Sequence, residues 1–221
     1  MNTPKSLAIS LAAGCISLLA LLVSPIAVPV RAQQLNNRLY AQLSDWEKTA
    51  LDDGQTIITG DKGNYVAKIL ITASPQTVWS VLTDYNNLSN FLPNTVSSQI
   101  VEVNDNRWIV EQIDERQILG VTARSRIVTE SIQTPQSRID FSLVDGDLET
   151  MQGYWQLQQL SGSKQGQVEV LLEYAVEAQP KSGIPTRVFY PIFRNSLNPT
   201  LNAIRQESER RMKVLGMGNN G

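Results

Sequence analysis

Apolar positions recur along this chain in three different ways, and the changes between them divide it. Leu7 to Val30 carries no charge at all. Leu35 to Asp52 then shows helical spacing through Leu39, Leu43, Trp46 and Leu51, with Ser44-Asp45-Trp46-Glu47 as a helix start. From Gln55 the period becomes two. Thr56–Thr59 and Tyr65–Thr72 are rich in β-branched residues and flank the turn composition Gly60-Asp61-Lys62-Gly63-Asn64. A short helix follows, with Ser74 as cap, Pro75 at its first position and Val78, Trp79, Val81 and Leu82 on its apolar side. It stops at Asp84-Tyr85-Asn86-Asn87, and a second short helix is expected over Leu88–Phe91.

Six further strands are predicted: Gln99–Val103, Arg107–Ile113, Gly120–Ser131, Arg138–Val144, Gly153–Leu160 and Val168–Ala178. The turns between them read as Asn104-Asp105-Asn106, Thr134-Pro135-Gln136, Asp145-Gly146-Asp147 and Ser161-Gly162-Ser163. In the last strand Val168, Val170, Leu172, Tyr174 and Val176 share one face, and Glu169, Glu173 and Glu177 share a face expected to be wet. Pro185–Arg211 reads as a closing helix with a break near Asn198-Pro199, continuing to about Met212. Phe189, Ile192, Phe193, Ser196 and Leu197 form its stripe toward the sheet, extended by Leu201 and Ile204. An antiparallel sheet of this length must curl, and one helix cannot fill its concave face. A cavity is the expected remainder.

Composition narrows the chemistry. Leu7–Val30, with Lys5 before it and Val30-Arg31-Ala32 after it, has the layout of a secretory signal peptide over residues 1–32. An uncleaved anchor is the other reading, since about 20 apolar residues span a bilayer. Leu11-Ala12-Ala13-Gly14-Cys15 only faintly resembles a lipoprotein acylation box, because most of the apolar run follows the cysteine. Cleavage after Ala32 leaves 189 of the 221 residues, with 17 basic and 21 acidic side chains and no cysteine. That is enough chain for one domain held by burial alone. The acidic balance and the lack of a basic block argue against nucleic acid. The chain has no histidine, so His-based triads and Cys/His zinc sites are excluded from the mature part. No cofactor is expected, and Asp145-Gly146-Asp147 lacks the ligand spacing of a calcium loop.

Three stretches carry a resemblance. They are Val78-Trp79-Ser80-Val81-Leu82-Thr83-Asp84-Tyr85 leading to Phe91-Leu92-Pro93, Gly146-Asp147-Leu148 with Gly153-Tyr154-Trp155, and Leu201-Asn202-Ala203-Ile204-Arg205. In this order the chain resembles the START-like helix-grip superfamily over roughly Asn64–Arg211. Within it, the motifs point to the coenzyme Q-binding/polyketide cyclase-dehydrase branch, in the style of exported cyanobacterial and plastid-type members. The resemblance implies an α+β helix-grip fold: a curled antiparallel sheet of about seven strands around a long C-terminal helix, with two short helices after the first strand. It divides the chain into the leader, a helical segment over 33–54, the START-like domain over 55–215 and a disordered tail over 216–221.

If the inward strand faces are concave, Trp108, Gln112, Ser125, Phe141, Trp155 and Tyr174 line the cavity, with Phe193 and Leu197 from the helix. Phe91 and Leu92 are candidates for its rim, although periodicity does not separate rim from core for so short a turn. Apolar walls with isolated polar groups describe a pocket for a hydrophobic molecule bearing one or two oxygens. The competing reading is a filled core whose polar groups are satisfied by backbone. Two functions follow. One is an exported binding protein for a lipid, quinone or polyketide-like molecule, in the periplasm or thylakoid lumen, soluble or membrane-associated through its N-terminal segment. The other is a cyclase or dehydratase, for which Tyr174 is the single acid–base candidate, and a weak one at an ordinary phenol pKa. A third reading makes Leu35–Asp52 a docking helix with Trp46 as anchor.

Overall fold

The computed structural model describes residues 38–118, 120–160 and 167–218. The leader, the turn at Ser161-Gly162-Ser163 and the last residues of the expected tail lie outside the described residues. The order is α1 (Arg38–Ala41), α2 (Asp45–Asp52), β1 (Ile57–Asp61), β2 (Asn64–Ile71), α3 (Pro75–Leu82), a 3-10 helix (Tyr85–Asn90), β3 (Thr95–Asn104), β4 (Arg107–Ile118), β5 (Val121–Thr134), β6 (Arg138–Gly146), β7 (Leu148–Leu160), β8 (Glu169–Pro180) and α4 (Thr186–Gly218). All strands pair antiparallel in one sheet ordered β1-β2-β8-β7-β6-β5-β4-β3. The sheet has eight strands, where the sequence suggests about seven. It curls around α4, so that β2, β6, β7 and β8 share one core with the helix stripe Leu197, Leu201 and Ile204.

Local chemistry accounts for the helix boundaries. Ser44 and Glu47 close a capping box at α2, and the Ser74 hydroxyl accepts from the Thr77 amide at 3.1 Å, with Pro75 beside it. Val78 and Val81 of α3 are fully buried. The second short helix begins at Tyr85 rather than Leu88. The interruption after α3 is therefore only Thr83 and Asp84, and Tyr85 is buried instead of lying in the break.

The expected break in the last helix is absent, and α4 runs unbroken through Pro191 and Pro199. Each proline lacks an N–H and leaves the carbonyl four residues earlier without its helical donor. Both prolines, and Arg187 and Asn195 which carry those carbonyls, are exposed residues, so the helix continues without burying an unpaired carbonyl in its core face. The Asn202 side chain adds a bond to the Asn198 carbonyl at 2.8 Å.

The face of β8 expected to be wet is covered over its middle. Leu43 and Leu51, from the segment before the sheet, pack on Leu70 and Leu171, which point away from α4. Glu173 is consequently only 5% exposed. It is held by the Tyr154 hydroxyl at 2.8 Å and by Lys68 at 3.7 Å, and Lys68 reaches Glu47 of α2 at 3.9 Å. A buried carboxylate needs such partners. The outer layer therefore joins the domain through both an apolar cluster and an ion-pair chain. Trp46 takes no part in that packing and stays exposed.

The charges late in α4 are more than a solvated stripe. Arg211 donates to Asp84 at 2.7 Å and to the Ser80 carbonyl at 3.2 Å, and Arg205 donates to the Gly54 carbonyl at 2.7 Å. Glu207, whose side chain is 12% exposed, accepts from Arg210 and Arg211 at 2.7 Å each. Those bonds, Arg210 first, lower its carboxyl from 4.5 to about 2. A lowered folded-state pKa means the carboxylate stabilises the fold fully above 4.5 and loses that contribution as pH falls toward 2. Urea unfolding at pH 7, 4 and 3 should show Glu207→Gln less stable than wild type at pH 7, by on the order of 1 kcal/mol given the solvent around Arg210. The difference should shrink at pH 3.

Candidate functional site

Between the concave face of the sheet and α4 lies a cavity of about 170 Å³. Its floor is aromatic. The Trp155 and Tyr174 rings stack at 3.9 Å between centroids, and Phe141 lies 5.7 Å from Tyr174. Gly153 makes this possible. A Cβ there would sit 2.0 Å from the Ala175 carbonyl oxygen and 2.9 Å from the Phe141 ring, so only glycine lets that ring lie flat over β7. The helix side is Phe193, Ser196, Leu197, Thr200 and Ile204, one stripe of α4. Val81, Leu82, Tyr85 and Leu88, with Leu92 and Pro93 after them, supply the wall from α3 and the 3-10 helix.

The remaining wall, from β3, β4 and β5, is polar in part. Gln112, Asp114 and Arg116 alternate inward along β4, and Thr129 and Ser131 do so along β5. Asp114 accepts from the Thr95 hydroxyl at 2.8 Å, and its other oxygen is 3.6 Å from Arg116. The cavity therefore has an apolar, aromatic side and a side carrying a balanced pair of charges. Burial, and then the Asp114 carboxylate, push the Tyr174 phenol well above its ordinary pKa. Tyr174 is thus a neutral donor at physiological pH. Tyr85 is likewise pushed up by burial and accepts from Gln133 at 3.1 Å. Among the described residues no cluster of three His, Cys, Asp or Glu side chains could hold a metal. None of their helices is long and apolar enough to cross a membrane.

Of the residues singled out by sequence, Gln112, Phe141, Trp155, Tyr174, Phe193, Leu197 and Leu92 border the cavity. Three do not border it. Trp108 packs against Tyr85, centroids 5.8 Å apart, in a separate cluster under the 3-10 helix. Ser125 sits opposite Asp114 on the part of β5 that runs past the end of β6 at Gly146. Phe91 is packed between two apolar clusters and acts as core.

Asp114 and Arg116 are the lining residues that the sequence reading passes over. It ends the strand at Ile113, whereas β4 continues to Ile118. The signal was available: if Gln112 faces inward, a period of two places 114 and 116 beside it.

A model of the polyketide cyclase/dehydrase and lipid transport family matches residues 71–205. Three solved structures are similar. A STAR-related lipid transfer protein from Xanthomonas axonopodis superposes with a TM-score of 0.54 at 15% identity, covering 69% of this chain and 98% of that one. The Zhui aromatase/cyclase from Streptomyces sp. R1128 does so at 0.50 and 18% identity, with 67% and 94% covered. A START superfamily protein from Mycobacterium smegmatis gives 0.50 at 18% identity, with 68% and 97% covered. At these identities the likeness is one of fold. No curated protein sequence matches the chain.

Leu201 touches no part of the cavity and is fully buried, while Phe193, Leu197 and Ile204 border it. Leu201→Ala should therefore lower Tm the most, at a cost of about 2–5 kcal/mol. Phe193→Ala should cost less stability and more affinity for an apolar probe. Equal thermal losses with unchanged probe uptake would mean that α4 seals a solid core.

Proposed function

Because the chain belongs to the polyketide cyclase/dehydrase and lipid transport family, we propose that it binds a hydrophobic small molecule in this cavity and sequesters or carries it. The observation that carries the reading is the wall of Phe141, Trp155, Tyr174, Phe193 and Leu197, apolar and aromatic, facing polar side chains of β4 and β5. Such a wall gains free energy by taking apolar surface out of water, and the polar groups orient what enters. Molecules with an apolar body and one or two oxygens, as quinones and lipids have, match that division. Tyr174, the acid–base candidate of the sequence, is a phenol that burial and then Asp114 make harder to ionise, which suits hydrogen bonding to a ligand.

Native mass spectrometry of gently purified protein should show a non-covalent adduct that organic solvent releases. The apolar dye N-phenyl-1-naphthylamine should gain fluorescence on binding and lose it when the cavity is filled by Ser196→Phe. No adduct, no dye uptake and no effect of the filling substitution would together end the binding reading.

We further propose that the protein is exported, to the periplasm or the thylakoid lumen, with residues 1–32 as its leader. N-terminal sequencing of protein recovered from cells should then begin at Gln33. A sequence beginning at or near Met1 would count against cleavage and for a membrane anchor.

A further inference from the structure

Two groups lining the cavity have hydrogen-bonding capacity that the protein itself leaves unused. Tyr174 is 6% exposed, and its contacts are ring contacts with Phe141 and Trp155. Among the described residues its hydroxyl has no hydrogen-bond partner. It is not one of the fully buried unpartnered atoms among them, so it opens onto the cavity and is free to bond what enters. Asp114 is the second. A carboxylate accepts about four hydrogen bonds, and the described residues supply one, from Thr95 at 2.8 Å. Arg116 stands at 3.6 Å, near enough to balance the charge but beyond a hydrogen bond. One group is a neutral donor and the other an anionic acceptor, and they border the same small space.

The volume sets the size of what fits. An apolar cavity of about 150 Å³ takes a benzene-sized molecule, and drug-sized ligands occupy about 300–1,000 Å³. At about 170 Å³ this cavity encloses one or two rings, and an acyl chain would leave most of its length in the mouth. The stacked Trp155 and Tyr174 rings favour a flat occupant.

Resting on the binding reading above, we propose that the ligand is a compact ring compound bearing a neutral hydroxyl, an alcohol or phenol. Its rings lie against Phe141, Trp155 and Tyr174, and its hydroxyl donates to Asp114 while accepting from Tyr174. Among simple oxygen groups a hydroxyl serves both partners. A ketone or quinone oxygen only accepts and leaves Asp114 unmatched. A carboxylate meets Asp114 as a like charge, and the charge of Arg116 is already balanced by Asp114 at 3.6 Å.

Calorimetric titration of the full chain at pH 7 with naphthalene, 2-naphthol, 2-naphthoate and laurate separates these cases. The expected result is 2-naphthol bound about tenfold or more tighter than naphthalene or 2-naphthoate, in line with a hydrogen bond to a charged group, and laurate weaker still. Asp114→Asn should improve 2-naphthoate binding, and Tyr174→Phe should narrow the gap between 2-naphthol and naphthalene. Naphthalene and 2-naphthol bound equally, or laurate bound best, would overturn the hydroxyl proposal and leave the binding reading standing. Failure of all four compounds to bind would overturn both. The wild-type series decides even if either variant fails to fold.

Discussion

The structure turns on a mismatch of areas: one helix has to cover the concave face of eight strands. Leu201 is fully buried in one core with residues of β2, β8 and α3, and there the core is solid. Toward the β4–β5 side the sheet curls away from the helix axis, and the stripe of α4 no longer reaches it. The cavity is what the helix cannot fill. At its floor Gly153 leaves room for the Phe141 ring, which an added Cβ would meet at 2.9 Å.

The two faces of the sheet place their carboxylates differently. On the outer face Glu173 is buried beneath the N-terminal helices, bonded by Tyr154 and paired with Lys68, and through Lys68 it fastens the outer layer to the domain. On the inner face Asp114 has a matching pair of partners, Thr95 and Arg116, but it and Tyr174 border open space. The cavity beside it, rather than the number of its bonds, puts Asp114 within reach of a ligand.

The mouth is braced from the other end. Arg211 ties α4 to the end of α3 through Asp84 and the Ser80 carbonyl, one residue before the 3-10 helix whose Tyr85 and Leu88 close the cavity. Leu92 and Pro93 follow directly. The closing wall is thus supported by charge-assisted bonds to the long helix as well as by its own packing, which suits a preformed site.

Much of the architecture was legible in local sequence. Ser74-Pro75 marked the start of α3, the Gly- and Asn-containing turns separated the strands, and Leu197, Leu201 and Ile204 marked the buried stripe. Each rests on neighbours within a few residues, where capping, turn chemistry and period act. Tertiary contacts decided the rest. Pro199 reads as a break until it and Asn195 are seen on the exposed side of an unbroken helix, and Glu173 reads as wet until α1 and α2 are laid over it. Trp108 and Trp155 have the same alternation, yet Tyr85 screens one of them from the cavity. The place of Asp114 and Arg116 depended on how far β4 runs, and that length is set by pairing with β5, twelve residues matched across a hairpin. The hydrophobic pattern specifies which face of a strand turns inward. Only the curl of the sheet specifies what stands opposite it, because that distance is settled by strands far apart in the chain.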